Sequence, residues 1–144
     1  MQSDVAGALV CVKPGNGPGS LEAEFRFDPA LPVFRGHFPG KPLVPGVFEI
    51  EMVRLAVERH TSRRQRIARV ESAKFTGELA PGELVIVQAA LAENGQAVLV
   101  NATLTVRDTV RARLSMILEA AEKEPEGKDQ ARNPQKGGER PGEP

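Results

Sequence analysis

The sequence predicts an α+β domain in which a curved antiparallel sheet wraps one long central helix. Three observations carry this. From about Val47 to about His60 apolar residues cover most of a helix circumference, through Phe48, Ile50, Val53, Ala56 and Val57. Strand-period alternation comes before this segment and resumes after it, from Ile67 to Leu118. Between the first strands and the helix lies RGHFPGKPLVPG, where Pro39, Gly40, Pro42, Pro45 and Gly46 fix or free φ at set points. A helix that is apolar nearly all round must be enclosed by other structure, and strands on both sides of it in sequence can supply the enclosure.

Taken in order, Ala8 to Val12 reads as a short strand that ends in the turn-forming KPGNGPGS. Leu21, Ala23, Phe25 and Phe27 alternate with Glu22, Glu24 and Arg26, so this second strand has one apolar and one polar face. Asp28, Pro29 and Pro32 stop it. The helix ends where the chain becomes HTSRRQR, and Arg63, Arg64 and Arg66 complement the negative end of its dipole. Ile67–Phe75 is the third strand. Leu84–Leu91 is apolar at successive positions, the pattern of a central strand covered on both faces. Asn94-Gly95 is a hairpin signal, after which Val98 to Val106 and Val110 to Leu118 alternate on either side of a turn at Asp108. From Ala121 to Pro144 there is no Val, Ile, Leu, Met or aromatic residue, and such a segment cannot offset the entropy of ordering it. The expected division is a domain over 1–120 and a disordered charged tail over 121–144.

Composition excludes several function classes. The 144 residues suit one domain, and 19 Lys and Arg against 19 Asp and Glu give no electrostatic case for nucleic acid or an anionic membrane. A single cysteine, Cys11, rules out an internal disulfide and a Cys-based zinc site and fits a reducing cytoplasm. The first residues have neither a basic start nor a signal-like apolar run, so a cytoplasmic protein is expected. No metal-ligand cluster, phosphate loop or dinucleotide glycine pattern is present, and no cofactor is expected.

Two residues stand out chemically. His37 is presented by a loop held in one shape by its prolines, and Glu51 is carried into apolar surroundings by the helix, at a cost unless it has a use or a partner. One plain partner is Arg54, three positions along the same helix. His60 sits in a polar stretch and is assigned no chemistry.

HFPGKPLVPGVFEIE resembles the active-site signature of the FabZ/FabA family of (3R)-hydroxyacyl-acyl carrier protein dehydratases. Matched residue by residue, the family His falls on His37 and the family Glu on Glu51, not Glu49. KFTGELAPGELV is a weaker likeness, with Lys74, Phe75, Pro81 and Gly82 matching and Thr76, Gly77 and Glu78 standing where Arg-Arg-Pro is usual. Leu55 replaces a common Gln, and with no Tyr in the chain a tyrosine gate is excluded. The resemblance implies a hot-dog fold and a homodimer or trimer of dimers in which His37 of one subunit meets Glu51 of the other. It implies that the N–H groups of Gly46 and Val47, with Phe38 and Pro45, bind the substrate.

The activity so implied is dehydration of a (3R)-hydroxyacyl thioester, carried by acyl carrier protein or coenzyme A, in fatty acid or related acyl-chain biosynthesis. His37, with an ordinary pKa near 6.5, suits the base for the C2 proton. Glu51, if burial keeps it neutral, suits the acid for the C3 hydroxyl. The basic cluster at Arg63, Arg64 and Arg66 then offers a docking patch for an acidic carrier. Two alternatives stay open: a hot-dog acyl thioesterase, which needs the carboxylate and water but not His37, and a catalytically silent acyl-binding subunit, which needs neither.

Overall fold

The structure, a computed structural model, describes residues 1–35 and 41–121. Within these residues a helix α1 (Gln2–Ala8) leads into strands β1 (Leu9–Pro14) and β2 (Ser20–Phe25). A 3-10 turn at Pro32–Phe34 precedes the long helix α2 (Gly46–Thr61), and β3 (Gln65–Phe75), β4 (Val85–Asn94), β5 (Ala97–Val106) and β6 (Thr109–Ala120) follow. The six strands form one antiparallel sheet in the order β1-β2-β4-β5-β6-β3. The sheet curves over α2, giving the hot-dog arrangement.

Each junction has a local cause. Gly95, at φ +66°, takes the first position of the turn between β4 and β5, so that Asn94 pairs with Ala97. Arg107 and Asp108 both lie at positive φ, the two-residue turn whose twist matches the strands it joins. Helix α2 ends where Ser62 adopts the left-handed conformation. Gln65 then staples the helix to β3: its N–H donates to Glu58 Oε1 (3.0 Å) and its side-chain amide to Thr61 Oγ1 (3.2 Å).

The core lies between α2 and the inner face of the sheet. Met52, Val53, Ala56 and Val57 are fully buried against Leu21, Ala23, Phe25, Val87, Leu104 and Met116. Phe27, just past the end of β2, organises the end nearest the motif. Its ring meets Phe34 edge-on at 6.2 Å and Phe48 at 5.9 Å. Phe34 lies before the motif loop and Phe48 in the first turn of α2, so one aromatic cluster ties both ends of the loop to the core. Beyond the loop, the Val44 N–H donates to Leu79 O (2.8 Å).

Two expectations change. Helix α1 was not expected: it spans two turns and contributes only Val5 and Ala8 to the core, too few for a helical period to show. Strand β4, expected to be covered on both faces, buries Val85, Val87 and Ala89 but leaves Gln88 and Ala90 exposed. Its outward face carries Ile86, Gln88 and Ala90, with no second covering layer among the described residues. Strand β3 is the long outer edge of the sheet, exposed at nearly every position, with irregular register at Ile67/Arg69 and at Val70/Ser72. The expected tail falls outside the described residues apart from Ala121.

Candidate active site

Helix α2 begins immediately after Pro45, whose fixed φ of −65° suits the entry to a helix but which supplies no side-chain cap. Gly46 allows a close approach here. A Cβ on it would stand 3.1 Å from Cζ of Phe75, the last residue of β3, whose half-exposed ring lies over the helix start. Val47 is exposed. The first-turn amides of Gly46 and Val47 thus sit at the positive end of a 16-residue helix that has no side-chain cap among the described residues.

One turn further on, Glu51 is buried, but its surroundings are not those expected. Arg54 Nε donates to Glu51 Oε1 at 2.8 Å and Arg54 Nη2 to Oε2 at 2.6 Å, a two-pronged ion pair between side chains only 13% and 6% exposed. Arg54 is held from the other side by Nη1 donating to Glu58 Oε1 (2.7 Å) and to the Gln65 carbonyl (2.9 Å). These contacts, the bond to Glu51 foremost, push the guanidinium pKa up against the opposing effect of burial. The expectation of apolar surroundings for Glu51 is therefore corrected: it has a cationic partner, the one a purely structural glutamate would also find. Glu51 and Arg54 line a cleft of about 650 Å³ between α1, α2 and the start of β3.

Burial perturbs a neighbouring carboxyl, Glu49. It is 4% exposed, its Oε1 is buried with no hydrogen-bond partner among the described residues, and desolvation pushes its pKa from 4.5 up to about 7. Two residues apart on a helix, Glu49 and Glu51 lie on nearly opposite sides, Glu49 toward the core with Met52, Val53 and Ala56. Sequence reading passed over Glu49; a charged residue among Phe48, Met52 and Val53 was the available signal.

His37 and Phe38 lie outside the described residues. Of the other site residues, the structure brings Pro45, Gly46 and Val47 together at the helix start and sets Glu51 one turn away. In the basic cluster, Arg66 pairs with Glu119 at 2.5 Å and Arg63 is exposed. Among the described residues no group of three His, Cys, Asp or Glu is placed to hold a metal ion, and no helix is long and apolar enough to cross a membrane.

The sheet wrapped on one long helix is a hot-dog fold, and solved structures share it. The family model described as ApeI dehydratase matches residues 14–111, well over half of the chain. The chain belongs to this ApeI-like dehydratase family. It is 32% identical over 60 residues to the 3-hydroxyacyl-[acyl-carrier-protein] dehydratase FabZ of Clostridium acetobutylicum, covering 37% of this chain and 43% of that protein. It is 43% identical over 53 residues to FabZ of Blochmanniella pennsylvanica, covering 37% and 28%. The matches therefore span less than half the length of these relatives. Among solved structures, the dehydratase heterocomplex ApeI:P from Xenorhabdus doucetiae superposes with a TM-score of 0.62 at 23% identity, over 77% of this chain and 96% of that one. A point mutant of the fluoroacetyl-CoA-specific thioesterase FlK gives 0.59 at 14%, over 76% and 90%. These structural likenesses concern the fold.

Proposed function

We propose that the chain removes water from a (3R)-hydroxyacyl thioester to give the trans-2-enoyl thioester, with acyl carrier protein as the carrier and coenzyme A as the alternative, in fatty acid or related acyl-chain biosynthesis. The observation that carries the reading is the junction at Pro45. The dehydratase-like motif runs without a break into α2, so that uncapped first-turn amides and the buried Glu51 lie within two turns of each other.

Such a reaction needs a base at C2, a donor field for the enolate-like oxygen and control of the departing hydroxyl. In this reading His37 takes the C2 proton. The Gly46 and Val47 amides hold the thioester oxygen, aided by the helix dipole. Glu51 addresses the C3 hydroxyl, and Phe38 and Pro45 line the approach. Assembly is part of the proposal, as a homodimer or a trimer of dimers. The β3 edge exposes Ile67, Val70 and Phe75 beside exposed Val47, and a second copy aligned along that edge would cover them and bring His37 of one subunit to Glu51 of the other.

One observation favours a rival. A carboxylate paired with Arg54 also suits activation of water for thioester hydrolysis. The test incubates the protein with 3-hydroxyacyl and 2-enoyl thioesters of several lengths, on both carriers, and follows water loss, water addition and free thiol. Interconversion of the two thioesters without thiol release supports dehydration; thiol release that survives His37→Ala supports hydrolysis. Binding of acyl chains without turnover supports a silent subunit.

A further inference from the structure

The pair Glu51–Arg54 constrains how protons move in the reaction proposed above, on which this inference rests. We infer that Arg54 is a positioning residue that holds Glu51 as a fixed carboxylate, so that Glu51 accepts a hydrogen bond from the substrate's C3 hydroxyl and does not donate a proton to it.

Geometry carries the argument. Arg54 aims one N–H at each carboxylate oxygen, at 2.8 and 2.6 Å. A proton on either oxygen in the plane of this fork would point at an N–H donor, and a guanidinium has no lone pair to accept it. Donation from either of these two positions would require the fork to open, and a proton at a remaining position would have to form on a carboxylate that already accepts from a cation through both oxygens. Arg54 is not free to swing away, because Nη1 is engaged at the same time by Glu58 and by the Gln65 carbonyl, at 2.7 and 2.9 Å. The Glu58 carboxylate that braces it is itself fixed by the Gln65 N–H at 3.0 Å. The fork uses two of about four lone-pair positions on Glu51, leaving room for a hydroxyl donor.

The other charged side chains that line the cleft with the pair are Glu58 and Arg59 of α2, with Arg64 and Arg66 around the start of β3; the α1 residues there, Gln2, Ser3 and Ala6, have uncharged side chains. Arg66 of this set is paired with Glu119, and Met1, which carries the chain's amino group, also lines the cleft.

The proton balance then closes through one group. The base, His37 in the reading above, takes the C2 proton. As the C2=C3 double bond forms, the C3–O bond breaks, and the imidazolium returns that proton to the departing hydroxide, which leaves as water. His37 ends neutral, and Glu51 and Arg54 are unchanged. Glu51 aligns the leaving oxygen and accepts from the water formed.

The experiment compares wild type, Arg54→Met and Arg54→Lys by the pH dependence of kcat/KM for water loss, and by 13C NMR of the Glu51 carboxyl in the free protein. Without its cation the buried Glu51 binds a proton more readily, so in Arg54→Met the acidic limb should move to higher pH by at least about one unit, with activity recovering on the alkaline side. Arg54→Lys, which keeps the charge and loses the fork, should hold the limb near its wild-type position and lower kcat more than it changes KM. The Glu51 signal should be that of a carboxylate across the active range in wild type and titrate within it in Arg54→Met. Arg54→Met with undiminished neutral activity extending further to alkaline pH would mean that Glu51 donates, and would overturn the inference. A uniform loss with no movement of the limb or of the NMR titration would reduce Arg54 to packing and overturn it as well. If Arg54→Met does not fold, Arg54→Lys decides by its kcat against KM split. If wild type turns over no 3-hydroxyacyl thioester, the functional reading fails, and the NMR titration alone judges the clamp.

Discussion

Replacing Glu49 by leucine should stabilise the protein, and by an amount that depends on pH. Below about 4.5 the carboxyl is neutral in the folded and unfolded chains alike, and its burial carries no ionic penalty. Between 4.5 and about 7 the unfolded chain gives up its proton while the folded one keeps it, so stability falls as pH rises; above about 7 the full penalty is present. The gap between 4.5 and about 7, at 1.36 kcal/mol for each tenfold change in proton affinity, amounts to about 3 kcal/mol. Leucine is close in volume and fits the apolar neighbours Met52 and Val53, with a shape mismatch of under about 1.5 kcal/mol. Urea unfolding at fixed protomer concentration should therefore show Glu49→Leu ahead of wild type by about 2 to 3 kcal/mol at pH 8. At pH 4.5 the gap should shrink to under about 1 kcal/mol. A difference that does not vary with pH would refute the reasoning. So would a leucine variant less stable than wild type at pH 8, which would mean that the carboxylate is ionised in place and satisfied by a group outside the described residues.

Two further predictions concern the framework. Phe27→Ala removes the ring on which Phe34 and Phe48 both lean and should cost about 3 to 5 kcal/mol in urea unfolding; a loss below about 1 kcal/mol would mean that the cluster does not tie the motif loop to the core. Val70→Asp, in the middle of the exposed β3 edge, should shift the protein toward monomer by light scattering and lower activity with it; a fully active monomer would remove the shared-site assembly.

Most of the fold was legible because its signals are periodic. The alternation from Leu21 to Phe27 and from Val98 to Leu118 corresponds to one-faced burial in β2, β5 and β6, and the helix read as Val47 to His60 is Gly46–Thr61. What escaped was non-periodic or required depth. Helix α1 is too short to repeat, and the outward face of β4 sets Ile86 and Ala90 around an exposed Gln88, an apolar content that cannot be told from a covered face without coordinates. In the site, spacing singled out Glu51 and named Arg54 as its plain partner, but only coordinates show that both oxygens are engaged. The helix carries two glutamates in the motif's reach, and attention went to the one the motif ends on. Burial raises the pKa of the other, because Glu49 faces the core, and its buried oxygen finds no partner among the described residues.

The central claim is that His37 and Glu51 work as one unit on a 3-hydroxyacyl thioester. The measurement that tests it most directly is kcat/KM for water loss in His37→Ala, Glu51→Gln and the double variant, each checked for an unchanged fold by circular dichroism. Each single change should cost roughly 10² to 10⁴, and the double variant far less than the product of the two, as expected of groups that act together. Near-normal activity in His37→Ala alongside its abolition in Glu51→Gln would contradict the claim and leave a carboxylate-driven hydrolase in its place.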